Sequence, residues 1–463
     1  VEHAVEAVAS LPTIAECSDA RGLQAIEAPV DPAMAKAVEA EGPALAEVEA
    51  WVATGQFARA KAAIGSRVEA AVGLGHGPLL AEAQLLAARV ETGTGDFVAA
   101  RKAAYESLWA AQAARDDTGV ARAWLALQGI AGQRGRWDEA SHLGRHGEAA
   151  VSRLGMPKEL EATLRNGLGV IYEQRGEYER ARTELSRALE LRRELYGEEH
   201  HEVARVLTNL GNLARSEGRK EALDFHRQAL AIDLVVLGQG HPTVGRHHHN
   251  VARVLLLSGD AAGALENYEM ALAIRTAAHG PKHVDVGRTH NSLGLLFARL
   301  DDPERATTHY RRALEIFEAG EHADQGLVLH NLGLLDARAG RHADAVEQQR
   351  RAREVLSRHV QGSSRPLVAA VLAMAEARVA LGQTKAAAED YASAEALATT
   401  LGDEALIARA RQGAERLGDA AILVEPPKPE PTKPPKRRRK KRRDQGLEEP
   451  QGSYAAGRAF DGP

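Results

Sequence analysis

The 463-residue sequence predicts an all-α protein, a solenoid of about nine stacked helix pairs with a disordered basic C-terminal tail. Three observations predict it. A short glycine motif returns at near-constant spacing, and the apolar positions around it recur with helical period. The apolar residues are also small: hydrophobics make up 44% but aromatics only 4%, so packing rests on Ala, Leu and Val in close-set helices.

The motif is Gly, any residue, an aromatic or basic residue, two further residues, and Ala. It reads Gly55-Gln-Phe-Ala-Arg-Ala60, Gly95-Asp-Phe-Val-Ala-Ala100, Gly135-Arg-Trp-Asp-Glu-Ala140 and Gly176-Glu-Tyr-Glu-Arg-Ala181. It continues at Gly218 (one residue short), Gly259, Asp301, Gly340 and Gly382, with anchors 39 to 42 residues apart. Each unit reads as two helices joined by a tight turn. The anchor suits the left-handed position that ends a helix, where a Cβ costs about 1 kcal/mol or more. Asp96, Asp138 and Asp260 fall where the second helix starts, as caps or as charges at its positive end. Seven or eight residues before the anchor stand Leu168-Gly169, Leu210-Gly211, Val251-Ala252, Leu293-Gly294 and Leu332-Gly333, whose small member admits the partner helix. After it, Tyr268, Tyr310 and Tyr391 fall nine residues on and Ala188, Ala271, Ala313, Ala352 and Ala394 twelve on, giving one buried face per helix.

These residues resemble the tetratricopeptide repeat, and Trp124 and Tyr172 match aromatic positions of its first helix. The unit here is about 41 residues against 34 for the family. The excess lies in Leu195-Tyr-Gly-Glu-Glu-His-His201, Leu237-Gly-Gln-Gly-His-Pro242 and His279-Gly-Pro-Lys-His283, which is similar to the kinesin-light-chain variety. The resemblance covers roughly residues 43–400 and implies a right-handed superhelical solenoid that binds peptides or partner helices on its concave wall. We divide the chain into an N-terminal linker (1–42), the repeats (43–420, with a capping helix around 403–417) and the tail (421–463). Leu11-Pro-Thr-Ile-Ala-Glu-Cys17 and Ala28-Pro-Val-Asp-Pro32 resemble the segment that joins kinase domain to repeats in large bacterial serine/threonine protein kinases. That resemblance implies a kinase domain upstream of Val1, in a longer chain.

No apolar run approaches the length of a spanning helix, no signal peptide is visible, and the lone Cys17 fits a reducing cytoplasm. The net charge of −5 is uneven. Residues 425–463 hold 11 Lys/Arg and 6 Asp/Glu, whereas the rest holds 48 and 58. Such an acidic body with a basic tail attracts partners rather than coating nucleic acid.

Catalytic motifs are missing. There is no kinase Gly-rich loop, His-Arg-Asp or Asp-Phe-Gly, no Walker lysine, no Gly-x-Ser-x-Gly and no His-Glu-x-x-His. The chain is therefore read as a non-enzyme, with no catalytic residues, cofactor or metal. Its 19 histidines need another account. His200, His241 and His283 recur once per unit, too far apart on packed helices to converge on one zinc ion, so they are read as closing the inter-unit loop by hydrogen bonds. His247, His248 and His249 point three ways on a helix and lack the four-residue spacing for two ligands on one face; His249 is placed facing the groove beside His290 or His330.

The first helices carry a stripe at spacing 0, 4, 7, 11. It reads Arg205, Asn209, Asn212, Ser216; Arg246, Asn250, Arg253, Leu257; and Arg288, Ser292 (with Asn291 beside it), Leu295, Arg299; then Asn331 and Arg338. By resemblance this stripe faces the groove. Asn offers a donor and an acceptor to a peptide amide, and Arg forks onto carboxylate. A single arginine reads as an ordinary solvated residue, but Arg205, Arg246 and Arg288 repeat at one position. The asparagines alternatively bond between helices. The expected partner is a protein or peptide of acidic character. In the tail, a proline-rich spacer precedes Lys436, Arg437, Arg438, Arg439, Lys440, Lys441, Arg442 and Arg443. That block is open to three readings: binding nucleic acid or an anionic surface, folding onto the acidic body, or solubilising.

Overall fold

The computed structural model describes residues 32–320, 322–359 and 363–418. The expected basic tail and most of the expected linker, with the kinase-like resemblance it carries, lie outside the described residues. Within them the chain is nineteen helices and no strand. The pairs run α1 (Pro32–Ala53) and α2 (Phe57–Leu74), α3 (Gly77–Thr94) and α4 (Phe97–Ala113), α5 (Asp117–Gln133) and α6 (Trp137–Arg153). They continue as α7 (Lys158–Gln174) and α8 (Tyr178–Tyr196), α9 (His201–Ser216) and α10 (Ala222–Val236), α11 (Pro242–Leu257) and α12 (Ala261–His279). The last are α13 (Val284–Arg299) and α14 (Pro303–Ala319), α15 (Asp324–Arg338) and α16 (His342–His359), α17 (Arg365–Ala380) and α18 (Thr384–Leu401), with α19 (Glu404–Glu415) closing the stack.

Every anchor does what its position requires. All eight anchor glycines have φ between +70° and +90°, and Asp301 adopts +57° despite its Cβ. In each unit the residue after the anchor donates its N–H to the carbonyl four residues before the anchor, as in Gln56 to Trp51 (2.8 Å) and Asp302 to Phe297 (2.9 Å). This closes orphan carbonyls at the helix end. Asp96 and Asp260 then cap α4 and α12 through Ala99 and Gly263 N–H. Asp138 lies inside the first turn of α6, where it acts on the helix dipole rather than as the cap.

The small residues before the anchors set how closely each pair packs. A Cβ on Gly169 would lie 2.5 Å from Leu185, on Gly294 2.5 Å from Tyr310, and on Gly333 2.5 Å from Gln349. Ala188, Ala271, Ala313, Ala352 and Ala394 are fully buried, and Tyr268, Tyr310 and Tyr391 are buried beside them. Each helix packs on the next in sequence. Helices two apart in sequence that pack closely are all odd-numbered, so the first helices stand side by side as an inner wall and the second helices form the outer one. No described helix is long and apolar enough to cross a membrane.

Candidate functional site

The inner wall runs along the first helices and is least closely packed between α9 and α11, which meet through Thr208 and His247 at 3.3 Å. Between them lies a cavity of about 280 Å³ lined by Arg205, Thr208, Asn209, Asn212, Arg246, Asn250 and Arg253. Six of these seven are predicted groove residues. Thr208 was missed, because at the sequence level it reads as a packing position.

The predicted arginines divide into paired and free. Arg205 is tied to Glu202 at 2.6 Å, and Arg288 bridges Asp285 (3.1 Å) and Asp324 (2.8 Å). Arg299 and Arg338 reach back to backbone carbonyls of the preceding unit, Leu256 and Ala298. Arg246 and Arg253 are exposed and have no ion pair or hydrogen bond in the structure. Desolvation within the groove lowers the pKa of both guanidinium groups; Arg215 adds to it at Arg253, and Asp233 and Asp285 oppose it at Arg246. Two unpaired cations in one confined space are a site for anionic oxygen.

The asparagines form a ladder with a gap. Asn209 donates to Asn166 at 2.8 Å, and Asn331 donates to Asn291 at 3.0 Å, each spanning adjacent units. These bonds are the inter-helix role left open above, and Asn166 is a member that the sequence reading missed. Asn250 makes no such bond, and neither does Asn212. Their amides therefore keep free donors and acceptors at the cavity between α9 and α11.

Below the cavity a polar chain fixes the floor. Thr208 Oγ1 donates to the Ala204 carbonyl (2.9 Å) and lies 3.3 Å from His247 Nδ1; His247 Nε2 is 2.7 Å from Asp233, which also meets His201 Nδ1 at 3.0 Å. Asp233 is fully buried. Burial raises its pKa, but the hydrogen bonds from His201 and His247 overturn this and hold it at about 2. Because the Thr208 proton is held by a carbonyl, the chain positions α9, α10 and α11 rather than activating a nucleophile.

The loop histidines act as helix caps. Nδ1 of His200, His241, His283 and His322 each accepts the backbone N–H two residues on, at 3.1–3.2 Å. His249 departs from expectation. It is buried, edge-on to Tyr268 and beside Arg275, because α12 packs over that face of α11. His279, His283 and Asp285 do bring ligand atoms within 4.8 Å of one another. Yet the two rings stack at 4.2 Å, His283 Nδ1 is spent on its cap, and Arg275 and Arg288 hold the Asp285 carboxyl at about 2 against the effect of burial. Two guanidinium groups at the only carboxylate disfavour a cation there.

Residues 159–234 and 243–319 match the family model described as Tetratricopeptide repeat, and the helix pairs within those two spans are repeats of that kind. No curated protein matches the chain. Among solved structures it is similar to BtubC (BKLC) from P. vanneervenii, with 28% identity over 48% of this chain and 92% of that one and a TM-score of 0.39. It shares its fold with a Rap protein complexed with Competence and Sporulation Factor (14% identity, 73% and 90% covered, TM-score 0.55). A Signal Transduction ATPase with Numerous Domains from Pyrococcus horikoshii, which has a tetratricopeptide repeat sensor, is likewise similar (14%, 79% and 55%, TM-score 0.52).

Proposed function

We propose that this chain of tetratricopeptide repeats is a protein-interaction scaffold that holds an acidic segment of a partner protein between α9 and α11. The observation that carries this reading is the coincidence of three features at one place. The inner wall is least closely packed, the asparagine ladder breaks, and Arg246 and Arg253 make no ion pair. Asn250 and Asn212 then hold the peptide backbone while the two arginines take its carboxylates. The other stripe arginines, already paired or bonded to backbone, contribute framework. The wider role we infer is docking or sensing within a signalling protein, a reading supported by the fold shared with the Rap protein and its bound factor. The basic-tail reading, nucleic acid or an anionic surface, concerns residues outside those the structure describes.

The test is fluorescence anisotropy of the whole chain with short Asp/Glu-rich peptides and their Asn/Gln counterparts. Acidic peptides bind and neutral ones do not. Arg246→Glu with Arg253→Glu lowers affinity by at least about tenfold, whereas Arg288→Ala changes it little. Equal binding of neutral peptides, or undiminished binding by the double variant, overturns the proposal.

A further inference from the structure

Away from the groove, a second cavity of about 520 Å³ opens where α4 meets the α5–α6 turn. Its lining is Val98, Arg101, Lys102, Tyr105 and Trp109 from α4, with Arg134 and Arg136 from the turn. The spacing 101, 105, 109 puts one cation and two rings along a single helix face. The Tyr105 and Trp109 rings stack at 5.9 Å and 28°, and the Arg101 guanidinium lies 5.4 Å from the Tyr105 centroid. Trp109 is 56% exposed and Val98 72%, so an apolar part of the lining is open to a ligand.

The charges are unbalanced. Arg101 (3.0 Å) and Arg136 (3.2 Å) share the single carboxylate of Glu139. The Lys102 and Arg134 side chains have no ion pair or hydrogen bond. Burial and the neighbouring Arg136 and Arg101 lower the Arg134 pKa, as expected of cations gathered without enough acid. Four cations against one carboxylate form a positive pocket on an otherwise acidic chain.

We propose that this pocket binds a mononucleotide, its base stacked on Trp109 and Tyr105 and its phosphate held by Lys102 and Arg134. The terminal phosphate of a nucleotide carries close to two negative charges, which the two unpaired cations match. An aromatic platform supplies the flat contact a base needs, and the volume falls within the range of small-ligand pockets. All the cations belong to one helix and one turn, so the arrangement fits a single nucleotide rather than a strand.

The test is isothermal titration of the whole chain with ADP, alongside adenosine, inorganic phosphate, oligothymidylates of increasing length and an Asp/Glu-rich peptide. ADP binds saturably, and adenosine and phosphate each bind more than about tenfold more weakly. Trp109→Ala weakens ADP by about tenfold and Lys102→Glu with Arg134→Glu by more, with thermal melts unchanged because these side chains lie outside the core. The groove variant Arg246→Glu with Arg253→Glu leaves ADP binding as it was. Absence of saturable ADP binding overturns the proposal, as does ADP affinity untouched by both pocket variants. Affinity that climbs with oligonucleotide length would make the surface a nucleic-acid track, and tighter binding of the acidic peptide at this pocket would make it a peptide site; each also overturns it.

Discussion

His226 is the least comfortable residue in the solenoid. It is fully buried, and neither ring nitrogen has a hydrogen-bonding partner in the protein. It occupies the slot that faces the small residue of its pair, with a Gly211 Cβ position only 2.7 Å from its ring. In other units that slot holds Leu185 or Tyr310, or Gln349, whose amide is satisfied by His330. Burial, then the charges of His247 and Arg215, push the His226 pKa down to about 3, so the ring is neutral when folded. Unfolded, it takes a proton near pH 6.5. The unfolded chain therefore binds more protons across that window, and stability present above about pH 6.5 drains away as pH falls toward about 3. His226→Leu removes an orphaned N–H worth about 1–3 kcal/mol and copies the Leu185–Gly169 pairing. Urea unfolding checks this at about pH 7 and about pH 5, on either side of the unfolded histidine value. The variant has the higher midpoint at both, and its margin is wider in acid; a lower midpoint at neutral pH would refute the account.

Helix pairs were legible because their determinants are local and repeat. The glycine anchors, the Gly169–Leu185 type of contact and the loop histidines all act within one unit, so a period of about 41 residues exposes them. Which arginines are free was only partly legible. Glu202 and Asp285 each stand three residues before Arg205 and Arg288 and mark their pairing, whereas Asp324, the second partner of Arg288, lies 36 residues on and carries no local sign. The Asn166–Asn209 bond spans 43 residues and depends on how two first helices align, which periodicity alone does not fix. The histidine caps offer the test at this scale. His283 Nδ1 holds the Asp285 N–H at the start of α13, and its pKa is lowered, chiefly by burial, which keeps the acceptor nitrogen free. His283→Ala should cost about 1 kcal/mol, and His283→Ser should recover most of it because a hydroxyl also caps. Amide exchange along α13 reads the difference. Serine no better than alanine would mean that the ring stack on His279, and not the cap, is what the histidine supplies.

At the scale of the molecule, the first unit touches the sixth. The Ala53 carbonyl, at the end of α1, lies 3.0 Å from His241 Nε2. The Cβ position of Gly55 would fall 2.8 Å from Pro242, and Phe57 stacks on His279 at 6.2 Å. These three contacts join residues 187 to 222 positions apart, so the curved stack closes on itself between α1–α2 and the two ends of the sixth unit. Closure falls on the N-terminus of α11, one wall of the groove cavity. Pro242 begins that helix and His241 caps it, so the first unit holds the wall that carries Arg246 and Arg253. His241→Ser separates the two duties, since serine keeps the cap on α11 but cannot reach the Ala53 carbonyl. Combined with Phe57→Ala, it should release the first unit while leaving α11 folded. Small-angle scattering then gives a larger radius of gyration, and amide exchange quickens in α1 and α2 while α11 stays protected. An unchanged radius would show that stacking between successive units fixes the curvature alone. A larger radius with unchanged acidic-peptide affinity would show that the gap between α9 and α11 is set by its own residues, the Asp233–His247 chain among them, and owes nothing to closure.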